Sequence, residues 1–294
     1  MFSNHFEKFK ADHVITEGGG QLIPLPTKYP NYIIQVAEKG IFWSTIRTNG
    51  AAGHGSTPGD PNKMAIVKMA KVIDKISKYK PPIIMQDIYK QTLAAIEASK
   101  VIKFFISHKM LFNTAMKLGK KILKEDVSQL LSPLVQNKIT VTALNAGDKV
   151  NNIPGTCEAK IDVRMLPGFN REDLNKILKK ILGKKLFNDV EIDAIEDQPG
   201  GYTPIGTEFS DKILEVTKLL EPNATLVPFL SPGSTDMCHF RRYGIKAYGF
   251  VPMKVDEGLT VREMGEMPHG YNERISYGNL MFATKFFYEL CLRN

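Results

Sequence analysis

The sequence predicts an α/β protein interrupted by an inserted α+β unit, and three observations carry that prediction. Residues 41–197 read as strand, helix, strand, strand, helix, strand. That is the split βαβ order, in which two helices pack on one face of a four-stranded antiparallel sheet. Residues 198–294 read differently, as helices alternating with short apolar strands, the pattern of a parallel sheet. Residues 1–40 end in a strand of the same apolar kind, "NYIIQVA" (31–37). Three segments are therefore expected: 1–40 and 198–294 as two pieces of one α/β domain, and 41–197 as an insertion between them.

The elements follow in order. "IFWSTIRTNG" (41–50) alternates, with Phe42, Ser44 and Ile46 on one side and Trp43, Thr45 and Arg47 on the other. That mixture suits a strand in a sheet with one wet face. "GAAGHGSTPGDPN" reads as a loop. Asp60 can cap the helix that follows, with Pro61 at its first position. Residues 79–135 hold apolar helical segments such as "VIKFFISHKMLFNTAMKLGKKIL". The strands "KITVTALNAG" and "CEAKIDVRML", the helix 171–182 and the strand 190–197 complete the insertion, and "DQPGGYTPIG" ends it. A helix over 207–220, a strand at "ATLVPFL", the turn "SPGSTD", the short helix "MCHFRRYG" and the strand "KAYGFVP" come next. An amphipathic helix through "LMFATKFFYELCL" closes the chain.

Composition narrows the function classes. With 43% apolar and 24% charged residues the chain reads as globular. No apolar run approaches eighteen residues, so neither a membrane span nor a membrane partner is expected. The segment "MFSNHFEKFK" lacks the apolar core of a secretory signal. Cys157, Cys238 and Cys291 form no CxxC, which fits reduced thiols in a cytoplasmic setting. The net charge of +8 is read as a lysine-rich solvated surface rather than a nucleic-acid footprint. In "LNKILKKILGKK", for example, Leu174, Ile177, Leu178, Ile181 and Leu182 form an apolar stripe and the lysines face away.

Several polar residues stand in positions suited to chemistry. Glu17 follows the apolar pair Val14-Ile15 and precedes three glycines; it is a metal ligand or base, or simply a turn acid. His269, in "PHGYNE", lies between a loop and a helix, where a histidine can act as ligand or acid–base group. Asp236 or Thr235, in "GSTD", can cap the helix that follows. His54 has glycine on either side, which lets another body approach the backbone closely. Arg164 ends a strand and can hold a carboxylate bidentately or pair with Asp162 or Glu158. Asn151 and Asn152 read first as turn residues.

Five stretches, "ADHVITEGGG", "AEKGIFWSTIRTNGAAGHGSTP", "NNIPGTCEAKIDVRMLPG", "GSTDMCHFRRYGIKAYGFVP" and "HGYNERIS", together resemble a family of co-catalytic zinc metallopeptidases. Its members include aminoacylase, carboxypeptidase S, glutamate carboxypeptidase, acetylornithine deacetylase and succinyl-diaminopimelate desuccinylase. The resemblance implies a zinc-peptidase catalytic domain carrying a ferredoxin-like lid, or dimerisation, domain. It implies two zinc ions per complete site, with Glu17 a ligand of one and His269 of the other. His54 would reach into the partner subunit of a homodimer and stabilise the oxyanion. Asn151 and Arg164 would hold a small carboxylate-bearing amide substrate, and Gly233, Ser234, Thr235 and Asp236 would line the pocket floor. Where many relatives have an arginine just after the Thr-Asp, this chain has Cys238.

The resemblance also implies an H-x-D segment, an Asp bridging the two metals and a Glu-Glu pair. The 294 residues contain no H-x-D and no Glu-Glu pair. In the family these elements precede the position of Glu17. The chain is therefore expected to be the C-terminal portion of such a hydrolase, either a truncated frame or one half of a split enzyme completed by a second polypeptide. Little zinc binding and no turnover are expected from it alone, and a non-catalytic protein dimerising through the lid is the alternative. The catalytic portion is expected to leave "NYIIQVA" and "KAYGFVP" with an unpaired edge and exposed apolar faces.

Overall fold

The computed structural model describes residues 6–22, 29–96, 100–123, 127–260, 263–264 and 267–293. In chain order the elements are β1 (His13–Thr16), β2 (Asn31–Glu38), β3 (Gly40–Asn49), β4 (Gly53–His54), α1 (Ala65–Ser77), α2 (Asp87–Ala95), α3 (Lys100–Ser107), α4 (Lys109–Leu123) and α5 (Val127–Val135). They continue with β5 (Lys138–Asn145), β6 (Asn152–Ile153), β7 (Thr156–Met165), α6 (Arg171–Leu182), α7 (Lys184–Asn188), β8 (Val190–Gln198), α8 (Glu208–Leu220), β9 (Thr225–Ser231), α9 (Met237–Arg242), β10 (Lys246–Gly249) and α10 (Tyr277–Leu292). These elements form two compact units. One comprises Met1–Glu38, Met85–Leu130 and Gly201–Asn294, and the other Lys39–Ile84 and Leu131–Gly200.

The second unit is the split βαβ fold. Its sheet runs β5-β7-β3-β8, with every neighbouring pair antiparallel. Alternation along β3 sends Phe42, Ser44, Ile46 and Thr48 inward and Trp43 and Asn49 outward. Phe42 and Ile46 pack with Met69, Val72 and Ile76 of α1 and Leu174, Leu178 and Leu182 of α6 in one core. The outer face is wet. There Arg47 pairs with Glu158 at 2.8 Å and Glu191 at 3.2 Å. α6 starts at a reciprocal capping box, in which the Asn170 side chain accepts from the Asp173 N–H and Asp173 accepts from the Asn170 N–H. It stops at Gly183, whose φ of 77° no β-carbon-bearing residue adopts easily.

The first unit is built on a mixed sheet in the order β1-β10-β2-β9. β1 runs parallel to β10 and β2 parallel to β9, whereas β10 and β2 are antiparallel. Two expectations change here. β2 has no bare edge and no exposed apolar face: Tyr32, Ile34, Val36 and Ala37 are all fully buried. One edge is paired along its length with β9. The other meets β10 only at Gln35, and the glycine-rich stretch takes what remains. Gly20 N–H donates to Ile33 O at 2.6 Å, and Ile33 N–H donates to Gln21 O at 3.0 Å. The second change concerns residues 85–130, which lie in the first unit although the expected insertion ran over 41–197. The reason is α2, which packs on β9, where Thr92 Oγ1 donates to Pro228 O at 2.6 Å.

The three consecutive glycines are required by this close approach. A β-carbon on Gly19 would lie 2.2 Å from Gly249 O, and one on Gly20 would lie 2.0 Å from Val251 O. Gly20 also holds φ +95°, which strains any other residue. Gly244 has a similar φ of +77° but open space around it. Gly244→Ala should cost about 1–2 kcal/mol, the left-handed backbone penalty alone. Gly20→Ala should cost clearly more in urea denaturation, because the collision is with backbone that cannot turn aside. Equal losses would contradict the packing role.

Candidate functional site

In the first unit the site grows from the end of β2. Glu38 closes an apolar strand and is fully buried. Such a carboxylate needs partners for both oxygens. Oε1 accepts from Arg241 Nη1 on α9 at 2.8 Å. Oε2 accepts from the Thr235 backbone N–H at 2.6 Å and from the Thr235 hydroxyl at 2.9 Å. The Arg241 side chain is only 5% exposed, and its remaining donors are used as well. Nε donates to Thr203 Oγ1 at 3.0 Å and Nη2 to Ala247 O at 2.7 Å. Burial pushes the Glu38 carboxyl up; the Arg241 charge and the Thr235 donors oppose it. Burial likewise pushes Arg241 down against the pull of Glu38.

This pair fixes the turn that the sequence marked as a pocket floor. Thr235 is held through backbone and side chain, and the Gly233 N–H donates to Ser231 Oγ at 3.1 Å. Asp236 occupies the N-cap of α9 but makes no side-chain capping bond, and it is exposed. Ser234 hydrogen-bonds Cys238, whose buried thiol is pushed up by desolvation and then by Glu38. Of this network the sequence pointed to Thr235 but to neither Glu38 nor Arg241. A signal for Glu38 existed, an acid ending an apolar strand as Glu17 does.

Glu17 and His269 stand apart from that network. Glu17 is exposed just past the end of β1. His269 is exposed with φ 63°, and its backbone N–H donates to Glu273 Oε2 at 3.0 Å. Among the described residues, no three His, Cys, Asp or Glu come together as a metal site. A catalytic zinc needs about three protein donors and an open position. The described donors therefore do not make a complete zinc site. Two surface cavities in this unit, of 540 and 220 Å³, are lined by other residues, including His13, Phe209 and Lys246 in one and Ile205 and Leu226 in the other.

In the second unit the structure brings His54 and the asparagines together. β4 pairs with β6, with His54 opposite Asn152, and the Gly55 N–H donates to Asn151 O at 2.9 Å. The His54 ring is oriented by its own loop, because the Ser56 N–H donates to Nδ1 at 3.2 Å. A ring nitrogen that accepts is unprotonated in neutral imidazole, so the proton sits on Nε2. Exposed His54 thus presents an N–H donor. Arg164 donates from Nε to Asp162 Oδ1 at 2.8 Å and from Nη2 to Oδ2 at 3.1 Å, which decides between the partners left open by the sequence. It also lies 5.9 Å over the Trp43 ring. Lys39 is fully buried in the same unit, its ammonium donating to Gln136 O. Burial, with help from the charges of Lys138 and Arg164, pushes its pKa down to about 7.

The Glu38–Arg241 pair yields a pH-dependent expectation. Arg241→Met leaves the Glu38 carboxylate buried without a counter-charge, which should cost about 3–5 kcal/mol near neutral pH. The Glu38 pKa is already raised in the fold and rises further in the variant. Its favourable contribution is complete only below the ordinary carboxylate range and is lost as pH climbs through the folded value. The deficit of Arg241→Met should therefore shrink in acid, measured by urea denaturation across pH. A deficit independent of pH would contradict the charged pair.

Comparison with known proteins agrees with this architecture. The peptidase dimerisation domain profile matches residues 36–190. A probable carboxypeptidase S-like protein of Dictyostelium discoideum is 25% identical over 279 residues, covering 92% of this chain and 51% of that protein. An N-fatty-acyl-amino acid synthase/hydrolase of Homo sapiens is 24% identical over 291 residues, covering 94% and 54%. This chain thus spans about half the length of the curated relatives it matches. An M20 family metallo-carboxypeptidase from Sulfolobus solfataricus superposes with a TM-score of 0.63 at 20% identity, over 98% of this chain and 65% of that one. Human carnosine dipeptidase 1 does so with a TM-score of 0.60 at 12% identity, over 99% and 60%. With the split βαβ unit up to the start of β8 inside the matched region, the chain belongs to the M20 peptidase family and carries its peptidase dimerisation domain.

Proposed function

We propose that this chain forms part of a zinc-dependent hydrolase that cleaves an amide or peptide bond next to a free carboxylate, in an N-acyl amino acid or a small peptide. The observation that carries the reading is the pairing of His54 with the Asn151–Asn152 turn, with the His54 Nε2–H left to donate. A donor aimed at a developing oxyanion is the contribution such a reaction needs from a lid. The relatives' descriptions as carboxypeptidase S-like and as N-fatty-acyl-amino acid synthase/hydrolase support the substrate class.

The remaining roles follow residue by residue. Asn151 orients the substrate carbonyl. Arg164 holds the substrate carboxylate; its Nε and Nη2 face Asp162, so Nη1 is the nitrogen assigned to the substrate. Gly233 to Asp236 form the floor. Glu17 and His269 each give one ligand to a different zinc, and the other donors and the general base lie outside the described residues. A segment carrying an H-x-D and a Glu-Glu pair would complete the site. The matched domain supports a homodimer, in which His54 serves the partner's site. Cys157, Cys238 and Cys291, as thiols outside any disulfide, support a cytoplasmic setting. A non-catalytic protein dimerising through the second unit is the other reading, favoured by the incomplete donor set.

Two measurements test this. The purified chain should bind less than one zinc tightly by elemental analysis and should not hydrolyse N-acyl amino acids or dipeptides. Two tight zincs with turnover would contradict the incomplete site. In an active enzyme reconstituted with a complementing segment, His54→Ala should lower kcat by about 10²–10³, as loss of an oxyanion donor does. Its melting temperature should not move, since His54 is exposed. An unchanged kcat would remove His54 from the reaction, and failure of every complementing segment would favour the non-catalytic reading.

A further inference from the structure

The hairpin of α3 and α4, in the first unit, is turned inside out along one helix. α4 is seated in the normal way. Phe112 and Met116 are buried, and Phe112 packs edge-on against Tyr89 of α2 at 6.4 Å between ring centroids. The Tyr89 hydroxyl donates to Ile106 O at 3.1 Å, which ties the end of α3 to the same anchor. α3 itself buries no residue. Val101 is 67% exposed, Phe104 53% and Phe105 38%, and Met110 at the start of α4 is 92% exposed. Lys103 does the reverse: it is less exposed than these neighbours and donates from Nζ to Ala94 O at 3.3 Å. At 100° per residue Val101, Phe104 and Phe105 share one face, while Lys100, Lys103 and Ser107 lie on the arc beside it, with Lys100 next to Phe104.

Charge says what this face is for. Residues 97–126 contain seven lysines against Glu97, Glu125 and Asp126. A local excess of positive charge thus surrounds the helix that presents its aromatic side chains outward. A helix with an apolar aromatic face and a lysine-rich polar face is suited to lie in the plane of a lipid interface. The rings enter the boundary between headgroups and acyl chains, and the lysines meet anionic headgroups. A second copy of the same hairpin would bring lysine against lysine. Among the described residues no helix is long and apolar enough to cross a membrane; lying on a surface needs neither that length nor that composition.

We propose that the α3–α4 hairpin docks this protein on the surface of an anionic phospholipid bilayer, with Val101, Phe104, Phe105 and Met110 inserted and Lys100, Lys109 and Lys117 at the headgroups. The proposal departs from the expectation of no membrane partner.

Vesicle co-sedimentation of the full chain tests it, and needs no hydrolytic activity. The chain should sediment with vesicles of phosphatidylcholine and phosphatidylserine, much less with phosphatidylcholine alone, and less at high salt. Phe104→Ser with Phe105→Ser should abolish sedimentation. Lys100→Gln and Lys109→Gln should each weaken it about fivefold, the loss expected for one charge near an anionic surface. Melting temperature and oligomeric state should be unchanged in all of them, because these side chains are exposed. Absence of sedimentation with either vesicle would overturn the proposal. So would variants that sediment as the parent does, or phenylalanine variants whose only effect is to dissolve an oligomer.

Discussion

A carboxylate with no access to water dictates much of the first unit. Glu38 ends the central strand, and taking its charge out of solvent costs several kcal/mol unless both oxygens are satisfied. Arg241, 203 residues later, and Thr235 satisfy them. Each partner brings its own segment. Arg241 draws α9 onto the sheet and ties in Thr203 and the Ala247 carbonyl of β10. Thr235 brings in the turn that closes the loop after β9. Interior polarity here acts as a template, because the arrangement of three distant segments satisfies the donors and acceptors together. In the second unit, buried Lys39 is held differently. It has a carbonyl partner and two cations nearby, and its pKa falls accordingly.

The two units differ in how much of each could be read from the residues. In the second unit local rules suffice. Period-two alternation in "IFWSTIRTNG" shows which side faces the helices. Asn170 and Gly183 bracket α6 by capping chemistry that is local in sequence. The first unit depends on pairings that no local rule expresses. Apolar "NYIIQVA" shows a buried strand but not its neighbours, so the occupation of its edge by Gly20 and Gln21 was not legible. Helical periodicity in 85–95 shows an apolar face but not that its target is β9.

The candidate site divides in the same way. His54 and Asn151 each looked like loop residues, and only the short β4–β6 ladder shows that they are neighbours. Arg164 had three readings from sequence, and geometry selects Asp162 as its resident partner. Arg241 was invisible because an arginine in "FRRYG" resembles an exposed helix residue, and its burial depends on a carboxylate far away in the chain. The lysines of 98–124 were read as solvent-facing, and Lys100, Lys109 and Lys117 are exposed. The outward aromatic face of α3 separates this patch from the other lysine-bearing helices. α6, for instance, buries its leucines and leaves its lysines in water.

Amide hydrogen exchange at Thr235 tests the central constraint most directly. Its N–H belongs to a surface turn by sequence but is bonded at 2.6 Å to a buried carboxylate. The account predicts protection comparable to the Ile33 amide within β2, lost when Arg241 is replaced by methionine. Exchange of Thr235 at the rate of an open loop, or protection indifferent to Arg241, would contradict the claim that the buried Glu38 charge organises the floor of the site.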